Sequence, residues 1–167
     1  MANLNRDEIV RFIEPSIQGF HQKRLENLQS LKLTKILRRK NPYLFKAKNL
    51  NAAHDLVKSL LDAHLSSQEE AIFGGLLEQL AIFACNRVYG GRKSAAAGID
   101  LEFEKEGTIY LISIKSGPNW ANSRQIAKLK DDFIKTRRIL GTNTVSPKVV
   151  AVNGCCYGTD NKPDKGD

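Results

Sequence analysis

Gly98-Ile99-Asp100-Leu101-Glu102-Phe103, followed after a polar gap by Thr108-Ile109-Tyr110-Leu111-Ile112-Ser113-Ile114-Lys115, decides the fold. In the first segment Ile99, Leu101 and Phe103 alternate with Asp100 and Glu102, the period-two pattern of a strand with one buried face. In the second, Ser113 and Lys115 share a face while Tyr110, Ile112 and Ile114 occupy the other. Glu104-Lys105-Glu106-Gly107 reads as the connecting turn, so a tight hairpin is predicted. Such a hairpin brings the Asp100 carboxylate, the Ser113 hydroxyl and the Lys115 ammonium to one side of the sheet, at the end far from the turn.

On the C-terminal side, Ser116-Gly117-Pro118-Asn119 breaks the strand. A helix beginning near Asn122 or Ser123 carries Lys128, Lys130, Lys135, Arg137 and Arg138 and is expected to end before Gly141. Residues 148–153 then read as a buried strand, parallel to an earlier one through the helical crossover. On the N-terminal side, Ser67 and Glu70 form an S-x-x-E capping box, predicting a helix over 67–89 stopped by Gly90-Gly91. Between Ala71 and Cys85 only Glu78 and Gln79 are polar, so this helix is expected to be buried. Phe73, Leu76, Leu77, Leu80 and Ala84 make its main stripe. Glu78 projects off that stripe, beside Ala71, Gly74, Ala81, Ile82 and Cys85, where a carboxylate needs an ion pair, for instance with Arg92, strong hydrogen bonds, or a cation.

Residues 5–65 read as helical, interrupted at Pro15 and near Asn41-Pro42. Lys35, Arg38, Arg39 and Lys40 form a basic cluster there, either a solvated face or a track for phosphates. The order helix, hairpin, helix, strand predicts an α/β fold, a small mixed sheet flanked by helices. The expected division is a basic helical segment over 1–65 packed on a core over 66–167, in one compact domain overall.

The chain has 167 residues and a formal charge of +8. Residues 1–60 hold 12 Lys and Arg against 5 Asp and Glu, a balance of +7, residues 61–110 hold 4 against 8 (−4), and residues 111–167 hold 10 against 5 (+5). An acidic centre between basic flanks suits a polyanion drawn to the flanks, with a divalent cation bridging it to the central carboxylates. Modest basicity for solubility is the competing explanation. No run of about 18 apolar residues and no signal-peptide core is evident. Cys85, Cys155 and Cys156 lack metal-ligand spacing and read as reduced thiols, so a cytoplasmic location and no membrane partner are expected.

Cleaving a phosphodiester requires an attacking water, stabilisation of phosphate charge and help for the leaving oxygen. Carboxylates can hold Mg²⁺, which prefers hard oxygen ligands and keeps several waters. A lysine beside them can orient or deprotonate the nucleophile and offset charge. Asp100, Glu102 and Lys115 provide these groups, and Glu78 is a further carboxylate. The same spacing also fits a solvated hairpin face on which Lys115 pairs with Asp100 or Glu102.

With Tyr110-Leu111-Ile112-Ser113-Ile114-Lys115-Ser116-Gly117-Pro118-Asn119-Trp120, the segment Gly98-Ile99-Asp100-Leu101-Glu102-Phe103 resembles the core of the PD-(D/E)xK nuclease superfamily, and more narrowly the PmeII-like type II restriction endonucleases. The resemblance takes in Asn41-Pro42-Tyr43-Leu44-Phe45, residues 75–83 and Gly90-Gly91-Arg92-Lys93-Ser94. It implies a restriction-endonuclease-like core in which Asp100 binds metal, Lys115 is the catalytic lysine and Glu78 is the acidic residue of the preceding helix. The motif's second acidic position is Ser113 here, a poorer Mg²⁺ ligand, which leaves Glu102 or Glu78 to compensate. Relatives of this kind continue beyond Gly154-Cys155-Cys156-Tyr157-Gly158, so a C-terminally truncated chain is expected. A cognate DNA methyltransferase is implied by the same resemblance.

Contacts to DNA are expected from Arg92 and Lys93, and from Asn119, Asn122, Arg124 and Gln125 at the head of the basic helix. Trp120 suits packing or a DNA-facing role. The leading expectation is a Mg²⁺-dependent type II restriction endonuclease that cuts double-stranded DNA at a short sequence, as a homodimer. The alternatives are a catalytically impaired DNA-binding remnant, a structure-selective repair nuclease, and an unrelated basic scaffold protein.

Overall fold

The computed structural model describes residues 4–38, 40–50, 52–143 and 148–158. Arg39 of the basic cluster and the polar run 159–167 therefore lie outside the described residues. The elements follow in the order α1 (Arg6–Gln29), α2 (Leu33–Leu37), α3 (Pro42–Ala47), α4 (Ala53–Tyr89), β1 (Arg92–Lys93), β2 (Leu101–Lys105), β3 (Thr108–Lys115), α5 (Ser123–Asn143) and β4 (Lys148–Cys155). They divide into two compact units, one of residues 1–13 and 74–167 and the other Glu14–Phe73.

The first unit holds a four-stranded sheet of order β1-β2-β3-β4. β1–β2 and β2–β3 are antiparallel and β3–β4 is parallel, the mixed sheet that the alternation of strands and helices called for. Residues paired across a ladder share a face. Leu101, Phe103, Tyr110, Ile112, Val150 and Val152 therefore lie on one face, and Glu102, Glu104, Ile109, Leu111, Ser113, Lys115, Val149 and Asn153 on the other. The C-terminal end of α4 covers the first face, where Tyr89, Phe103 and Tyr110 stack in series at centroid separations of 4.8 and 4.7 Å. α5 lies against the second, where its Leu140 shares a cavity with Glu104 and Ile109. Leu111 is 1% exposed and Ser113 0%, so the core runs through the middle of β3.

Several boundaries differ from the sequence reading. α1 passes through Pro15 without a break. It is an exposed helix, so water can take the carbonyl that the proline cannot bond. Asn41 does start a new helix, accepting from the Tyr43 N–H at 3.0 Å with Pro42 behind it. The Ser67 capping box does not start one, because α4 is already helical from Ala53 and no breaker separates the two stretches. This continuity makes α4 long and apolar enough, by length and composition alone, to cross a membrane, although Glu78 and Gln79 interrupt it and no run of about 18 apolar residues is present. Nor is its apolar part uniformly buried: Leu76 and Cys85 are, but Phe73 is 44% exposed.

β2 extends through Lys105, and the turn shrinks to Glu106-Gly107, with φ of 51° and 70°. Two successive positive φ values are what a two-residue hairpin of the right twist demands. α5 continues past Gly141 to Asn143. Among the described residues β4 is an edge strand with Lys148, Ala151 and Cys155 exposed, so it is half-covered where a buried strand was expected.

In the second unit, Arg24 pairs with Glu69 at 2.5 Å and Asn27 donates to Gln68 at 3.0 Å, tying α1 to α4. Lys35 and Lys40 of the basic cluster line a cavity of about 440 Å³ with Lys32, His64 and the buried Leu60.

Candidate active site

Asp100 sits one residue ahead of β2 and still belongs to its ladder, its N–H donating to the Ile112 carbonyl at 2.9 Å. The step before the pair Leu101–Ile112 sets Asp100 opposite Ser113, on the same face as Lys115. The Ser113 hydroxyl donates to Asp100 Oδ2 at 3.2 Å, and the Ile114 N–H donates to the same oxygen at 2.6 Å. Two donors on one oxygen fix the carboxylate's orientation. Among the described residues no donor reaches Oδ1, which is left for an incoming group.

Lys115 closes β3. Among the described residues no carboxylate lies within ion-pair distance of it, so the pairing with Asp100 or Glu102 that a solvated hairpin would show does not form. Its Nζ lies instead 4.8 Å from the centre of the Trp120 ring. The Lys115 carbonyl accepts from the Cys156 N–H at 2.9 Å, and the Tyr157 ring fills the space beside Gly117, so the end of β4 anchors the exit of β3.

Glu102 shares the Asp100 face, but its oxygens are occupied. Arg92 Nε donates to Oε1 at 2.8 Å and Ser94 Oγ to Oε2 at 2.7 Å. Glu78 is placed elsewhere: it pairs with Lys93 at 3.3 Å, and the register of Lys93 with Leu101 puts that pair on the opposite face of the sheet from Asp100. The partner of Glu78 is thus Lys93, where the sequence suggested Arg92. Among the described residues no cluster of three or more His, Cys, Asp and Glu side chains is close enough to encage a metal ion.

Of the residues expected to touch DNA, Asn122 and Gln125 bond each other reciprocally, Gln125 N–H to Asn122 Oδ1 at 3.1 Å and Asn122 N–H to Gln125 Oε1 at 2.9 Å. They form the cap that starts α5. Asn119 and Arg124 are exposed, and Trp120 is half-buried under Lys115. The side chains of Arg92 and Lys93 remain 79% and 71% exposed despite their ion pairs. Lys128 and Lys135 are engaged with Asp132 and Asp131 one turn along α5.

Sequence reasoning missed Ser94 and Asn153. Ser94 reaches Glu102 because β1 pairs with β2, and a two-residue strand carries no periodicity to reveal it. Asn153 stands next to Ser113 across the β3–β4 ladder; its one signal was a polar residue closing the apolar run 149–152.

The mixed four-stranded sheet flanked by helices is consistent with a restriction-endonuclease-like α/β fold. Residues 7–167 match the family model described as "Type II restriction endonuclease EcoO109I". The chain belongs to this family of type II restriction endonucleases. No curated protein matches it.

Proposed function

We propose that the chain hydrolyses phosphodiester bonds of double-stranded DNA at a short sequence in the presence of Mg²⁺, as a PmeII-like member of the PD-(D/E)xK superfamily. The observation that carries this reading is the Asp100 carboxylate, held through Oδ2 and with no donor at Oδ1 among the described residues, on the same sheet face as a strand lysine that no described carboxylate pairs with. Mg²⁺ needs few protein ligands, because water and substrate phosphate complete its shell. Asp100 Oδ1 fits that demand, and Glu102 fits it on leaving Ser94. When bound, the ion would polarise the phosphate and activate a water.

The rest falls to the chain's own side chains. Asp100 anchors the site, Ser113 and the Ile114 N–H hold the carboxylate in place, and the Lys115 ammonium offsets charge on the phosphate. Arg92, Lys93, Asn119 and Arg124 supply contacts to the sugar-phosphate backbone or to base edges, which set position and sequence preference respectively. A homodimer, to cut both strands, a cognate DNA methyltransferase and a cytoplasmic setting complete the proposal. The free state of Cys85, Cys155 and Cys156 supports the last of these.

The test is cleavage of plasmid DNA with Mg²⁺ or EDTA by the native chain, Asp100→Ala and Lys115→Ala. Discrete fragments that vanish with either substitution and with EDTA support the reading. The occupation of Glu102 and the hydroxyl at Ser113 favour a second one, a remnant that binds DNA without cutting it. Mg²⁺-insensitive binding with no cleavage decides for that alternative.

A further inference from the structure

The contact between Lys115 and Trp120 does more than fill space. A lysine side chain has several freely turning bonds and is localised only at an entropic cost. An ion pair can localise it, but the carboxylate then consumes both charge and hydrogens. An aromatic face attracts the ammonium without taking any of its N–H donors. Lys115 is in this second situation, with Nζ 4.8 Å from the indole centre and no carboxylate in range among the described residues.

The loop around the indole is anchored at both ends. The loop that carries it, residues 116–122, is pinned at one end by the Tyr157 ring against Gly117 and by Pro118 against Gly158. At the other end it is pinned by the Asn122–Gln125 cap of α5. Among the described residues the buried Trp120 Nε1 finds no hydrogen-bond partner. We infer that Trp120 is a positioning residue for Lys115, its π face holding the ammonium at the Asp100 site with all three donors free for a phosphate oxygen. This inference rests on the nuclease reading above.

Trp120 is the single tryptophan of the chain, so growth of a tryptophan auxotroph on fluorinated tryptophans alters this position alone. Successive fluorination weakens the ring's attraction for a cation with little change of shape. The expected result is a stepwise fall in kcat, about tenfold over the series, with KM nearly constant. Trp120→Phe, which keeps a π face, should retain more activity than Trp120→Leu. A readout independent of catalysis is the ¹⁹F resonance of 5-fluorotryptophan at position 120, which should move with Lys115→Met and stay in place with Lys148→Met at the far end of the sheet. An unmoved resonance, or a kcat flat across the fluorinated series while Lys115→Met abolishes cleavage, overturns the inference and leaves the nuclease reading standing. Failure of every form of the chain to cut DNA removes both, and is told apart because Lys115→Met then changes nothing.

Discussion

The hydroxyl of Ser113, wholly buried, donates to Asp100 Oδ2 at 3.2 Å, at the position where the resembling motif carries a carboxylate. Two carboxylates at that separation would repel each other unless a cation lay between them. Ser113→Asp should therefore lower stability by about 3 kcal/mol in EDTA, the order found for an uncompensated buried charge. Mg²⁺ should restore much of the loss and raise the melting temperature far more than in the native chain. Thermal melts with EDTA and with Mg²⁺ measure both; an equal response of the two proteins to Mg²⁺ would show that this face does not gather the ion.

Ser94 and Arg92 hold the same carboxylate with unequal consequences. Ser94 is 8% exposed, donates to Glu102 at 2.7 Å and accepts from the Ala96 N–H at 3.1 Å. Its loss strands two groups, so Ser94→Ala should cost about 2 kcal/mol. The Arg92 side chain is 79% exposed, and Arg92→Ala should cost less than about 1 kcal/mol. Denaturant midpoints of the two variants give the order, and a larger loss from Arg92→Ala would reverse the assignment of what holds Glu102.

The hairpin turn carries a correctable strain. Glu106 adopts φ 51° ahead of Gly107 at 70°, and asparagine tolerates that conformation better than glutamate. Glu106 is exposed, so little else is lost on replacing it. Glu106→Asn should raise stability by about 0.5 to 1 kcal/mol with cleavage unchanged. An unaltered or lowered unfolding midpoint would contradict the turn geometry.

How much of this could be read from the chain depends on the range of the forces involved. β3 was legible to the residue, because an apolar, β-branched run bounded by Gly107 and Gly117, with Ser113 and Lys115 two apart, is a local pattern. The shared face of Asp100, Ser113 and Lys115 followed from the period of two with which side chains change face along a strand. The start of α4 was not legible, since a capping box marks a helix start only when the preceding chain is not helical. The partner of Glu78 was hidden as well: it depends on which face β1 turns toward α4, a tertiary choice that two residues cannot encode. The aromatic hold on Lys115 required the path of the loop after Gly117, which Tyr157, forty residues further on, fixes.

Gly98 couples stability to the site. Its φ is +79°, and a side chain there would collide with the carboxylate of Asp132 on α5. Gly98→Ala combines left-handed strain with that clash and should cost about 2 to 3 kcal/mol. Because Asp100 lies two residues on, cleavage should fall more than the loss of folded protein explains. Rates measured well below the melting temperature separate the two effects, and full activity per folded molecule would show that Asp100 is positioned independently of Gly98.

Cys85 gives an alkaline limit to stability. Burial raises its thiol above the ordinary 9.0, and the backbone hydrogen bond at Gly91 opposes this only in part. Above about pH 9 the unfolded chain therefore loses this proton while the folded chain still keeps it. The unfolded state then binds fewer protons, and stability falls as pH rises from there through the folded value; below pH 9 the contribution is fully present. Cys156, raised mainly by burial and further by Cys155, and Lys135, raised by its hydrogen bond to Asp131, act in the same direction. The Cys85 part is isolated by difference: the urea midpoint of Cys85→Ala should drop less than that of the native chain between pH 8 and pH 10.5. Parallel decline of the two would mean that the thiol ionises in the folded protein as readily as in the unfolded one.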